Sequence, residues 1–239
     1  MGLMYRLNRL LPPGRKALIV AMDQPRAIYS GPLADPGQVL RNLRDADIDA
    51  VLLTLGTARH VEADLAGKPV VISVSQDYSE PRRVVEQAVA FGATALKYEV
   101  YPYCEREAPS MGGLEALAIH ADRWGMPLMA EVVPGGFDEV GLHTAPNLRD
   151  SVRRAAEAGA DVAKIPPPSE GSLAEVTEYA SVPVLLLGGA RQGGMDQALS
   201  RVRQLGAYVD GLVFGRYIVE DPKPASVVSA LREALDSIA

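Results

Sequence analysis

Two of the five lysines in this 239-residue chain stand inside short apolar runs: Lys97 in "TALKYEV" (94–100) and Lys164 in "DVAKI" (161–165). A buried ammonium group is strongly disfavoured unless it is paired or gives up its proton. Either these side chains reach solvent or their surroundings are their purpose. Glu131 lies in a third such run, "PLMAEVV" (127–133), and Asp23 follows a fourth, "ALIVAM" (17–22). Amine catalysis is the chemistry that uses this set. A neutral lysine amine attacks a ketone to form an iminium ion, an electron sink for making or breaking the neighbouring carbon–carbon bond. The amine must be free near neutral pH, and enzymes bring lysine pKa values down to roughly 7–8 by burial and cationic neighbours. Lys97, two strands away, would be that neighbour for Lys164; Glu131, from the strand between them, would carry protons and balance the charge; and Asp23 would hold substrate hydroxyls or assist proton transfer. Any one of these residues alone reads as half of a salt bridge. Four ionisable groups at the ends of four runs read as a site.

The elements that must position them follow a regular rhythm. Besides the four runs above, "DAVLLTL" (49–55), "PVVISV" (69–74), "PVLLLG" (183–188) and "DGLVFG" (210–215) are near-continuously apolar, which suits strands of a parallel sheet buried on both faces. Helical patterns lie between them. "DPGQVLRNLRDA" opens on an Asp cap and a proline at the first helical position, and "SEPRRVVEQAVAFGA" opens in the same way. The latter ends on Gly92, "APNLRDSVRRAAEAGA" on Gly159 and "MDQALSRVRQLGA" on Gly206, all glycine stops. Eight strands alternating with helices predict an α/β fold, a (β/α)8 TIM barrel, as one domain over 1–239 with 1–16 as a lead-in segment. No glycine-rich dinucleotide fingerprint follows the first run, which disfavours an open doubly wound sheet. In a barrel the active site lies at the C-terminal strand ends, where Asp23, Lys97, Glu131 and Lys164 fall.

The last two runs end in Gly188-Gly189 and Gly215-Arg216, the pattern of a barrel phosphate site after strands seven and eight. Glycines admit a substrate close to backbone N–H groups, and Arg216 would add a charge-assisted contact. Gln24, beside Asp23, is a further substrate-binding candidate. Asp77, Arg82 and Arg83 flank the loop after the third run, where an arginine could meet a second phosphate. Tyr98, Tyr101 and Tyr103 crowd the fourth, one of them a possible hydroxyl donor and the others packing residues. His60, His120 and His143 are scattered without metal-ligand spacing. Cys104 has no adjacent histidine to activate it.

Composition bounds the rest. A net charge of −6 leaves no basic footprint for nucleic acid, though a local pocket can still hold an anion. The single cysteine allows no intramolecular disulfide and fits a cytoplasmic setting. No apolar run of about 18 residues occurs to span a membrane.

"VAMDQP", "ALKYEVY", "MAEVV", "DVAKIPPP", "LLLGGA" and "LVFGR", in that order, resemble the strand-end motifs of class I Schiff-base aldolases. The group is the one containing deoxyribose-phosphate, tagatose-bisphosphate and archaeal-type fructose-bisphosphate aldolases. The resemblance runs from about Ala17 to Arg216. It implies that Lys164 is the Schiff-base nucleophile, that Lys97 and Glu131 assist proton transfer, and that Asp23 is the group's shared first-strand aspartate. It also implies that Gly188, Gly189 and Arg216 are phosphate-binding ends. Two features depart from it: Val133 stands where the archaeal-type branch has a tyrosine acid, and Pro166, Pro167 and Pro168 make a stiff loop after Lys164.

The expectation is therefore a metal- and cofactor-independent aldolase acting on a phosphorylated ketose or similar carbonyl compound, one related to dihydroxyacetone phosphate. As with many such barrels, a homo-oligomer is expected. The rival readings are a transferase, thiolase-like or biosynthetic condensing enzyme using the same lysine, and a non-catalytic sugar-phosphate binder.

Overall fold

The computed structural model describes residues 2–23, 31–76, 78–189 and 193–238. Eight parallel strands close into a barrel in sequence order: β1 (Ala17–Ala21), β2 (Ala50–Thr54), β3 (Val70–Ser73), β4 (Ala95–Val100), β5 (Leu128–Val132), β6 (Val162–Ile165), β7 (Val184–Leu187) and β8 (Gly211–Phe214). Helix α1 (Leu3–Leu10) precedes the barrel. Around it lie α2 (Pro36–Asn42), α3 (Leu55–His60), α4 (Pro81–Phe91), α5 (Glu107–Asp122), α6 (Ala145–Glu157), α7 (Leu173–Thr177) and α8 (Met195–Leu205). After β8 come α9 (Arg216–Val219) and α10 (Pro224–Asp236). Each apolar run contains its strand, so the (β/α)8 expectation is met.

The aspartates that open three of the runs sit just before their strands. The side chains of Asp49, Asp161 and Asp210 accept from the backbone N–H groups of Leu18 (2.7 Å), Leu128 (2.9 Å) and Val184 (2.8 Å) at the start of β1, β5 and β7. These N–H groups lie at the lower rim of the sheet, where a buried donor without a partner would be destabilising. Asp49 is anchored in turn by Arg232 of α10, 2.7 Å away. Closure of β8 onto β1 needs Gly211, because a Cβ there would lie 2.4 Å from the Ala17 carbonyl oxygen.

The helix signals hold with two differences. Asp35 caps α2 by accepting from the Gln38 N–H, whereas Glu80 before α4 makes no side-chain cap bond. Gly92 and Gly159 take the left-handed conformation of a glycine stop, at φ +85° and +99°. Gly206 does not: its φ is −61°, and it continues into a further 3-10 turn. Its lack of a side chain serves packing, since a Cβ would approach Ile238 Cδ1 to 2.5 Å.

Two apolar layers result from strand alternation. Outward residues pack under the helices, while Ile19, Ala50, Leu52, Val71, Met129 and Leu185 fill the barrel interior. The lead-in segment belongs to that interior. Leu10 is fully buried in it, with Leu7 and Leu11 packed against it, and Arg6 donates to the Ala93 carbonyl. Helix α1 thereby closes the N-terminal mouth and leaves the other end as the open one. Among the described residues no helix is long and apolar enough to cross a membrane.

Candidate active site

Above the apolar layers the interior changes character. Inward positions of β4 read Ala95, Lys97, Glu99 by the period of two. The register places Glu99 beside Glu131 of β5, and Glu131 beside Lys164 of β6. Lys97 is one layer lower, level with Ser73 of β3 and Met129. Asp23 follows β1 from the other side of the barrel.

The side chains converge on one network of two ammonium groups and three carboxylates. Lys97 Nζ meets Asp23 Oδ2 at 3.2 Å, Glu99 Oε1 at 2.6 Å and Glu131 Oε2 in a shorter contact, with Ser73 Oγ at 3.5 Å. Lys164 Nζ meets Glu131 Oε1 at 2.6 Å. Glu131 thus bridges the two lysines, one oxygen to each. Neither lysine snorkels: Lys97 is 1% exposed and Lys164 5%. All four residues expected from the sequence to do chemistry are therefore brought together.

Burial by itself would push the Lys97 ammonium down. Glu131, Asp23 and Glu99 overcome that and hold its pKa well above the ordinary lysine value. Burial pushes the Asp23 carboxyl up, and Lys97, then Lys164 and Ser73, bring it below the usual carboxylate range. Glu99 follows the same pattern, lowered by Lys97 and by a hydrogen bond from Tyr101. Lys97 lies two strands from Lys164, in the place the sequence suggested. β5 inserts Glu131 between them, and the Lys97 charge is compensated by three carboxylates.

Sequence reasoning missed Glu99 and left Tyr101 unresolved among three tyrosines. The signal for both was the alternation from Lys97, which also turns Tyr101 inward. Tyr101 is 5% exposed and its hydroxyl donates to Glu99 Oε2. Its N–H donates to Ser110 Oγ, and the Arg106 guanidinium lies 3.7 Å from its ring centroid. Burial, then the bond to Glu99, pushes the phenol pKa up, so it stays protonated. Tyr98 faces outward against α5, where a Cβ on Gly113 would strike its hydroxyl. Tyr103 is exposed and donates to Asp150. The end of β5 supplies no hydroxyl, because Val133 stands there, fully buried.

The anion candidates lie at the ends of β7 and β8. The Gly188 N–H donates to the Val213 carbonyl at 3.0 Å, so that donor belongs to the sheet. Its missing side chain makes room for the Phe214 ring, 2.9 Å from where a Cβ would be. Gly189 has φ +68° and open space where a Cβ would point. Gly215 caps α9, and the half-buried Arg216 side chain has no hydrogen bond or ion pair among the described residues. Arg82 is engaged elsewhere, in an exposed pair with Glu86 at 2.7 Å. Gln24 and Asp77 lie outside the described residues. His143 is buried on the Gly136 carbonyl, and half-buried Cys104 donates to the Tyr101 carbonyl.

A closed parallel barrel with a buried lysine on its sixth strand, joined through a glutamate to a second lysine, is the arrangement the sequence reading expected of a class I aldolase. A family profile of the DeoC/LacD family aldolases matches residues 17–221, and the chain belongs to that family. It is 30% identical to the class 1 fructose-bisphosphate aldolase of Thermoproteus tenax, covering 97% of this chain and 94% of that one. It is 28% identical to 2-amino-3,7-dideoxy-D-threo-hept-6-ulosonate synthase 1 of Archaeoglobus fulgidus, covering 97% and 90%. Among solved structures, it superimposes with a TM-score of 0.81 and 25% identity, over 98% of this chain and 99% of that one, on an archaeal fructose-1,6-bisphosphate aldolase. In that structure the catalytic lysine is covalently bound to the carbinolamine intermediate of the substrate.

Proposed function

We propose that this protein cleaves or forms an aldol bond in a phosphorylated ketose through a Schiff base on Lys164, with a donor half resembling dihydroxyacetone phosphate. The observation that carries the reading is the Lys164–Glu131 contact of 2.6 Å in a pocket where both side chains are almost wholly buried. A proton on Nζ passes to Glu131 Oε1, and the freed amine attacks the ketone carbon to give a carbinolamine. Glu131 returns that proton to the departing hydroxyl, which leaves as water, and the iminium remains. Lys97, positive beside Glu131, keeps the glutamate in position to receive and return the proton. Asp23 orients hydroxyls on the donor half. Gly189 and Arg216 hold the phosphate, with Gly188 and Gly215 beside them at the strand ends, and Gln24 is a further substrate contact. The iminium supplies the electrophilic assistance that a metal ion would otherwise give.

The same atoms run in reverse for a condensing enzyme. The Archaeoglobus relative, a synthase by name, favours keeping that direction in view. Cleavage of a panel of phosphorylated ketoses, with and without a chelator, tests the reading. The wild type should release an aldehyde in both conditions, and Lys164→Ala should bind dihydroxyacetone phosphate without turnover. Turnover by Lys164→Ala would contradict the assignment. Binding without turnover by the wild type, in either direction, would make the barrel a sugar-phosphate binder.

A further inference from the structure

Glu131 is enclosed between two ammonium groups, and its proton traffic is with Lys164. The other half of the reaction needs a proton acceptor farther along the substrate: the hydroxyl on the carbon that becomes the aldehyde must lose its proton as the carbon–carbon bond breaks. We propose that Glu99 is the catalytic residue for that step, with Tyr101 as its positioning residue. The inference rests on the aldolase reading above.

Three observations carry it. Glu99 shares a layer with Lys164 across Glu131, so the two backbones stand about two strand spacings, roughly 10 Å, apart. That gap is wide enough for the carbon chain of a substrate attached to Lys164 Nζ. Glu99 is also the most open carboxylate of the network, its side chain 30% exposed against 12% for Asp23 and 5% for Glu131. Finally, its partners fix it without saturating it. Lys97 holds Oε1 and the Tyr101 hydroxyl holds Oε2, whereas an ionised carboxylate offers about four lone-pair sites. Tyr101 is itself held by Ser110 on its N–H and by Arg106 over its ring.

In cleavage, Glu99 takes the proton of that hydroxyl. The O–H electrons form the aldehyde C=O, the carbon–carbon bond breaks, and its electron pair neutralises the Lys164 iminium to an enamine. In condensation the proton returns from the Glu99 carboxylic acid to the aldehyde oxygen as the bond forms. While Glu99 is protonated, Lys97 keeps Asp23 and Glu131 as counter-charges, so the network tolerates the transfer.

A purely structural Glu99 would serve only to neutralise Lys97, and partial reactions separate the two roles. Glu99→Gln keeps the shape and removes one of three negative charges around two positive ones, so the fold should persist. Three rates are read on wild type, Glu99→Gln, Glu99→Asp and Tyr101→Phe. They are borohydride trapping of dihydroxyacetone phosphate on Lys164, deuterium exchange at the donor carbon of the same ketone, and condensation with the best acceptor among glyceraldehyde 3-phosphate, glyceraldehyde and glycolaldehyde. In Glu99→Gln, trapping and exchange should stay within about threefold while condensation falls by about 10²–10⁴, the range for loss of a general acid–base. Tyr101→Phe should show the same pattern more weakly, and Glu99→Asp should recover part of the condensation rate. Condensation by Glu99→Gln within threefold of wild type overturns the proposal. So does an equal fall in trapping and exchange, which would make Glu99 a structural partner of Lys97. Absence of trapping in the wild type instead refutes the aldolase reading, and is seen before any variant is compared.

Discussion

Replacing Lys97 with Met keeps most of the side-chain volume and removes the ammonium that three carboxylates enclose. The network then goes from one excess negative charge to two, in a place where Lys97 is 1% exposed. Breaking a buried ion pair by deleting one partner costs about 3–5 kcal/mol. Glu99, almost a third exposed, recovers part of its share from water, which places the expected loss at about 3–4 kcal/mol. For a domain of this size each kcal/mol is worth about 2–4 °C, so Tm should fall by about 6–16 °C near pH 7.5. The pH dependence follows from the directions of the shifts. Lys97 is held above its ordinary value, so its contribution is complete below about pH 10 and fades only as pH rises through the raised value. Asp23 and Glu99 are held below theirs, so their contribution is present above about pH 4 and is lost as pH falls through the lowered values. Wild type therefore keeps these three contributions from about pH 5 to 9. In Lys97→Met, Asp23 and Glu99 lose the cation that lowers them and take up protons more readily as pH falls, so the gap to wild type should narrow between pH 7.5 and pH 5. Thermal unfolding followed by circular dichroism over that range measures both effects. A fall of less than about 3 °C, or one equal at all pH values, would refute the electrostatic account of the network.

Arg216→Ala should weaken binding of dihydroxyacetone phosphate by roughly 10–100-fold, the worth of a charge-assisted hydrogen bond, with little change for unphosphorylated dihydroxyacetone; isothermal titration with both ligands checks this. Two glycine substitutions should differ in size. Gly211→Ala drives a Cβ against the backbone of Ala17 at the β1–β8 seam and should cost about 1–3 kcal/mol or more, whereas Gly189→Ala meets open space and should cost only the about 1–2 kcal/mol of left-handed backbone. Urea unfolding of the two variants compares them, and equal losses would contradict the packing account of the seam.

The strands were legible because parallel strands covered on both faces are apolar throughout, and no other pattern in the chain competes with that signal. Lys97, Glu131 and Lys164 were legible for the same reason, each a charge interrupting such a run. Glu99 escaped because a glutamate at a strand end resembles a rim residue until the alternation from Lys97 is followed one step further. The plug formed by Leu7, Leu10 and Leu11 was hidden too, since an amphipathic helix of eight residues does not say which surface its apolar side meets. Gly206 shows the limit of reading glycine as a stop, for there the constraint comes from Ile238, more than thirty residues away. The Glu131 bridge, finally, depends on strand register, which no single run contains.

The most direct test of the central claim is borohydride reduction in the presence of dihydroxyacetone phosphate, followed by peptide mass spectrometry. The account predicts a reduced adduct on the peptide carrying Lys164 and none on that carrying Lys97. An adduct on Lys97 would exchange the roles of the two lysines. No adduct from folded protein with any phosphorylated ketone, dihydroxyacetone phosphate included, would contradict the Schiff-base mechanism itself.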